Sequence, residues 1–158
     1  MQQEFGIGMA GMRAMESLRM EKSYRMWGSD LTRDYTPFEA SLDRFVRMNK
    51  GDFIGKAALE KQLVSGVPHR FVTLEVHGVT DADPLGNEPL FTTDGRMIGR
   101  ATAGAYGHVL QKSLAIGYVK PEFSTVGTAL QIEILGERKQ ATVVVESPYD
   151  PTNNDLRA

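Results

Sequence analysis

The chain has 158 residues, no cysteine, and 18 Lys+Arg against 20 Asp+Glu, for a net charge of -2. That excludes a disulfide scaffold and any thiolate metal site or nucleophile, and it lacks the basic excess of a duplex-DNA binder. No apolar run nears the roughly 20 residues of a membrane span, so the expectation is a soluble, cytoplasmic chain with one ordinary domain, or one domain and a piece of another.

The first element is a loop, GIGMAG, with Gly6, Gly8 and Gly11 in G-x-G-x-x-G register. A dinucleotide fingerprint needs a buried strand before the glycines. Only five residues precede Gly6, and no parallel βαβ pattern follows, so the spacing reads as a loop entering a helix. A glycine loop so near the start suggests the closing part of a longer protein. From Ala10 to about Tyr24 strong helix formers follow, with Glu21 and Arg25 spaced for a helical ion pair and an end near Gly28. Pro37 makes DYTP a turn or extended passage. FIGKAALEKQLVSG (53–66) reads as a short helix closed by Gly66.

From Arg70 the texture changes to period-2 alternation. Val72, Leu74 and Val76 share one face of FVTLEV, with Thr73 and Glu75 opposite. TALQIEIL alternates likewise. TTDGR (92–96) is an Asp-Gly hairpin signal, and GERK (136–139) reads as the turn before QATVVVE. These features predict an α+β chain: an N-terminal helix-containing segment over 1–66, then a small antiparallel β-barrel or sandwich over 67–158.

The chemistry-bearing residues are few. His69, His77 and His108 are scattered without metal-ligand spacing, and no G-x-S-x-G elbow exists. Met12, Met15 and Met20 read as filling of an apolar helix face. The densest stretch is RMEKSYRMWGSDLTRDYTPFEASLDRF (19–45), which interleaves Arg19, Tyr24, Arg25, Trp27, Arg33, Tyr35, Glu39 and Arg44. Such a mixture could stack a flat heterocycle and hold carboxylates on arginines. The residues alone favour the plainer reading, a salt-bridged seam between the helix and its neighbours.

The same stretch carries a family resemblance. MESLRMEKSYRMWGSDLTRDYTPFEASLDRFVRMNKGDFIGKAAL is similar to the late part of the glycine-cleavage T-protein (aminomethyltransferase) superfamily. The shared pattern is S-L-R-[LM]-E, then G-x-D-[IL], T-P-x-E-A-x-L and D-F-x-G-[KR]-x-A-L. EKSYRMWGSDL, GNEPLFTTDGRMIGRATAGAYGHVLQKSLAIGYV and SPYDPTNNDLR resemble most the C-terminal, folate-binding portion of dimethylglycine and sarcosine dehydrogenases.

The resemblance implies a tetrahydrofolate-binding unit whose last part is a β-barrel. In the dehydrogenases it further implies an amino-terminal FAD domain that oxidises an N-methyl group, whose carbon passes to tetrahydrofolate. The family's catalytic aspartate and pterin-binding glutamate lie upstream of any residue here. The chain is therefore expected to supply part of the site, to be inactive alone, and to need the upstream domains of the same protein as its partner, with a methylated amine as substrate. It implies no catalytic residue in this chain, and Arg44, Tyr24, Trp27, Glu39 and Arg19 as cofactor-side residues. Arg44 stands where the dehydrogenase has a folate-contacting tyrosine. Glu39 and Arg19 are expected to shape the site by structural pairing. Met15 and Asn154 replace an arginine and a tyrosine of the aminomethyltransferases. The alternatives are a glycine-cleavage aminomethyltransferase and a non-catalytic docking or regulatory module.

Overall fold

Alternating Val72, Leu74 and Val76 build strand β1 (Arg70–Val76), whose apolar side faces the interior of a six-stranded closed barrel. The structure is a computed structural model that describes residues 2–78 and 82–158. The other strands are β2 (Pro89–Phe91), β3 (Met97–Gly107), β4 (Lys112–Val119), β5 (Ala129–Ile134) and β6 (Glu137–Val144). They close in the order β1-β4-β3-β2-β5-β6, with β6 returning to β1 and every pair antiparallel. Closure leaves no free sheet edge. Leu90, Ile98, Ala115, Leu130, Ile132, Ile134 and Val143 fill the interior with the β1 residues.

A second apolar cluster lies on the outside of β1, β3 and β4. Helix α1 (Gln2–Phe5) leads through the glycine loop to α2 (Met12–Glu21), which lays Met20 against Phe71, Ala103, Ala105, Leu114, Ile116 and Tyr118. The segment carrying Leu31, Tyr35, Ala40 and Leu42 extends this layer. Covered on both faces, β3 and β4 show little alternation of burial, and β3 is rich in Gly and Ala. Their backbones approach closely: a Cβ on Gly117 would lie 2.3 Å from the Arg100 carbonyl oxygen, and one on Gly99 would lie 2.0 Å from that of Tyr118. Among the described residues no helix is long and apolar enough to cross a membrane.

The α+β expectation holds, and a helix rather than a strand precedes Gly6. The details differ in three places. Helix α2 stops at Glu21 rather than near Gly28, because Ser23 turns left-handed (φ 52). Its hydroxyl is thereby buried 2.7 Å from Thr73 Oγ1. The Glu21–Arg25 pair does not form: Glu21 Oε1 accepts the Val109 and Leu110 N–H groups (2.7 and 3.1 Å), whereas Arg25 meets Glu146. Finally, the β5–β6 turn centres on Leu135 and Gly136 (φ 50 and 82), so Glu137, Arg138 and Lys139 belong to β6. The Asp-Gly hairpin is present, with the Thr92 and Gly95 N–H groups donating to the Arg96 and Thr92 carbonyls. Helix α3 (Lys56–Ser65) is closed by Gly66 at φ 82 and buries none of its residues.

Candidate functional site

The five cofactor-side residues fall in four surroundings, with Tyr24 and Arg44 sharing one. Arg19, in the last turn of α2, donates from Nη1 to the fully buried carboxylate of Asp30 (2.8 Å) and from Nε to Glu16 (2.7 Å). Asp30 also accepts the Met26 N–H at 2.7 Å and the Thr102 hydroxyl, while its carbonyl accepts the Tyr118 hydroxyl at 2.8 Å. Among the described residues no buried polar side-chain atom of Arg19, Asp30, Thr102 or Tyr118 lacks a partner, as burial demands. Its action is to lock the segment after α2 onto β3 and β4.

Glu39 is likewise committed. Its carboxylate accepts the Thr36 N–H (3.0 Å), the Thr36 hydroxyl (2.9 Å) and the Gln62 amide (3.4 Å), and it faces His69 Nδ1 at 3.2 Å. Burial pushes this carboxyl up, but the hydrogen bonds from Thr36, His69 and Gln62 outweigh burial and hold it below its ordinary range.

Tyr24 and Arg44 do come together, in a groove of about 230 Å³ shared with Lys22, Arg25, Glu146, Ser147, Pro151 and Asn153. Tyr24 is half exposed. Arg44 rests its guanidinium 4.8 Å from the centre of the Phe45 ring and has no acidic partner among the described residues. Arg25 is nearly buried, its side chain 6% exposed, and pairs through Nη1 with Glu146 at 3.0 Å. It stacks 4.1 Å over Phe71, leaving Nε and Nη2 without a hydrogen-bond partner. Both nitrogens are buried from solvent, so the exposed and unpaired cation of the groove is Arg44. Lys22 closes the groove by donating to the carbonyls of Tyr149 and Asp150 and to Asn153 Oδ1. Trp27 is 74% exposed and lies outside this groove.

Lys22 and the arm carrying Glu146, Ser147 and Asn153 were not singled out from sequence. Their contacts with residues 22–25 span more than 120 positions, beyond the reach of any periodicity. Met15 sits on the exposed side of α2 with Met12 and Leu18. Among the described residues no group of three or more His, Asp or Glu is placed to hold a metal ion.

The glycine cleavage T-protein C-terminal barrel domain matches this chain over residues 69–150, and the GCVT N-terminal domain over residues 1–50. The mitochondrial dimethylglycine dehydrogenases of Mus musculus and Rattus norvegicus are 43% identical over 91% and 98% of this chain, which spans 16% and 18% of their lengths. The aminomethyltransferase of Koribacter versatilis is 36% identical over 92% of the chain, which spans 38% of it. The crystal structure of the glycine cleavage system aminomethyltransferase T from Bartonella henselae aligns with a TM-score of 0.79 at 28% identity. That alignment covers 87% of this chain and 38% of the other. With the barrel-domain match extending over just over half of its residues, the chain belongs to the glycine cleavage T-protein family.

Proposed function

We propose that the chain forms one wall of a tetrahydrofolate site in a one-carbon enzyme of the dimethylglycine/sarcosine dehydrogenase type. The observation that carries this is the groove of Tyr24, Arg25 and Arg44, in which the exposed Arg44 guanidinium has no acidic partner among the described residues, in a chain 41–43% identical to three dimethylglycine dehydrogenases. The residues fit the acidic end of a folate: the unpaired Arg44 guanidinium for a carboxylate and the Tyr24 phenol ring beside it. The groove is smaller than the roughly 300–1,000 Å³ of a complete ligand cavity, so the pterin end must lie against residues outside this chain. Bound tetrahydrofolate supplies the nitrogens that capture a one-carbon unit. Here Arg44 holds the tail, Tyr24 covers it, Arg25 anchors Glu146 at the groove's edge, and Arg19 and Glu39 fix the backbone that carries them.

The reading places FAD outside this chain, since the Gly6–Gly11 loop follows a helix and offers no strand-led pyrophosphate cradle. Its partner is the upstream part of the same enzyme, seated on the apolar stripe of Met12, Met15 and Leu18. A cytoplasmic location belongs to the proposal through the cysteine-free composition, whereas the rodent relatives are named mitochondrial; cell fractionation decides.

The test is calorimetric titration of the complete protein with tetrahydrofolate, followed by turnover of dimethylglycine. Expected are binding that weakens about tenfold in Arg44→Met and suppression of formaldehyde release by the folate. An aminomethyltransferase is the second reading, supported by the alignment with the Bartonella protein, and it predicts cleavage of a lipoyl-bound aminomethyl group without flavin. Failure to bind tetrahydrofolate overturns both and leaves the docking module, the role suggested by Met15, Arg44 and Asn154.

A further inference from the structure

A second cleft lies on the outer face of the barrel and shares no lining residue with the groove of Tyr24 and Arg44. It encloses about 340 Å³ between Tyr35, His69, Met97, Ile98, Gly99, Arg100, Tyr118 and Lys120. Its floor is mainly apolar and aromatic. Tyr35 stacks on Tyr118 with ring centres 3.6 Å apart and planes within 4°, and His69 stands edge-on to Tyr35 at 5.9 Å. Glu39, itself buried, holds the imidazole from behind.

The cations of this cleft are placed but not neutralised. Arg100 sits directly opposite Tyr118 in the β3–β4 ladder. It donates Nε to the Tyr35 hydroxyl at 3.2 Å and Nη1 to Asn87 Oδ1, both uncharged acceptors. Its Nη2 has no partner among the described residues. Lys120 is exposed on the rim, and its position is fixed by its backbone N–H, which donates to the Ile98 carbonyl at 3.0 Å. Neither cation has an acidic partner within salt-bridge distance among the described residues. Elsewhere, Arg19, Lys22, Arg25, Arg70 and Lys112 all pair with carboxylates. A guanidinium held in one orientation by neutral groups, beside an apolar floor, loses little freedom when an oxyanion arrives.

We infer that this cleft binds a small organic acid with an apolar or aromatic body, its oxyanion on Arg100 and Lys120 and its body on the exposed Met97 and the half-buried Tyr35 ring that Tyr118 backs. The inference does not depend on folate binding, because it uses different residues on a different face.

The probe is 2-naphthoate, titrated into the full chain while amide chemical shifts are followed. Uncharged 2-naphthalenemethanol and inorganic phosphate serve as partial ligands. Saturable shifts should appear at Tyr35, His69, Ile98 and Lys120, with weaker binding of either partial ligand. Both Arg100→Met and Lys120→Met should weaken 2-naphthoate about tenfold or more. Arg100→Met also removes the bond to Tyr35, so Lys120→Met, which alters only an exposed side chain, guards against a folding artefact. Equal affinity for the uncharged analogue, unchanged affinity in both variants, or shifts mapping elsewhere would overturn the assignment. Tetrahydrofolate binding that persists in Arg100→Met keeps the two sites distinct.

Discussion

Removing the Asp30 carboxylate tests whether the node between α2 and the barrel holds the N-terminal segment in place. Asp30 is fully buried and accepts from Arg19, Met26 and Thr102. Asp30→Ala strands a guanidinium whose side chain is only 10% exposed, and breaking such a pair from one side costs about 3–5 kcal/mol. Glu16, 24% exposed, keeps its hold on Arg19 Nε and offsets a little of this, giving an expected loss of about 3 kcal/mol. Asp30→Asn keeps an acceptor for Thr102 and should cost about 1–2 kcal/mol. Urea unfolding followed by far-ultraviolet circular dichroism measures both, and the Ala variant should melt roughly 6–12 °C lower, at ~2–4 °C per kcal/mol for a chain of this size. A destabilisation below about 0.5 kcal/mol, within the range of ordinary surface substitutions, would refute the reasoning and place the node in water.

Three further outcomes follow from the packing. Glu39 has its folded pKa depressed, so its contribution is complete above its ordinary value of 4.5 and fades as pH falls through the lower folded value; Glu39→Gln should flatten the stability profile below about pH 4.5, and an unchanged acid profile would count against the hydrogen-bond network. Met20→Ala, at a fully buried position, should cost about 2–5 kcal/mol by equilibrium denaturation. Gly117→Ala forces a Cβ to within 2.3 Å of a carbonyl oxygen, and expression as a folded, dispersed amide spectrum would contradict the close β3–β4 approach.

How much was legible depends on the range of the forces involved. The β1 and β5 strands announce themselves because one face of each meets the barrel interior and alternation survives. The Asp-Gly hairpin is equally local. The β3 and β4 strands hide their nature, since α2 and the Tyr35 segment cover their outer faces, so that both faces are buried and no polar side alternates with an apolar one. Helix propensity carried α2 too far because Ser23 answers to Thr73 and Ser147, residues remote in sequence. Arg19 and Glu39 meet Asp30 and His69, whereas the groove at Tyr24 and Arg44 depends on an arm that only the fold brings near.

That arm bears on the order of events during folding. The Lys22 ammonium clasps residues 127–131 positions away, and closing a free loop of that length costs on the order of 4 kcal/mol in chain entropy. Strand pairing between β1 and β6 shortens the gap first, so the clasp should form after the barrel closes. Lys22→Met should then accelerate unfolding while leaving the folding rate nearly unchanged. The groove would thus be assembled last and opened first, giving this wall of the proposed folate site a lifetime shorter than that of the barrel beneath it.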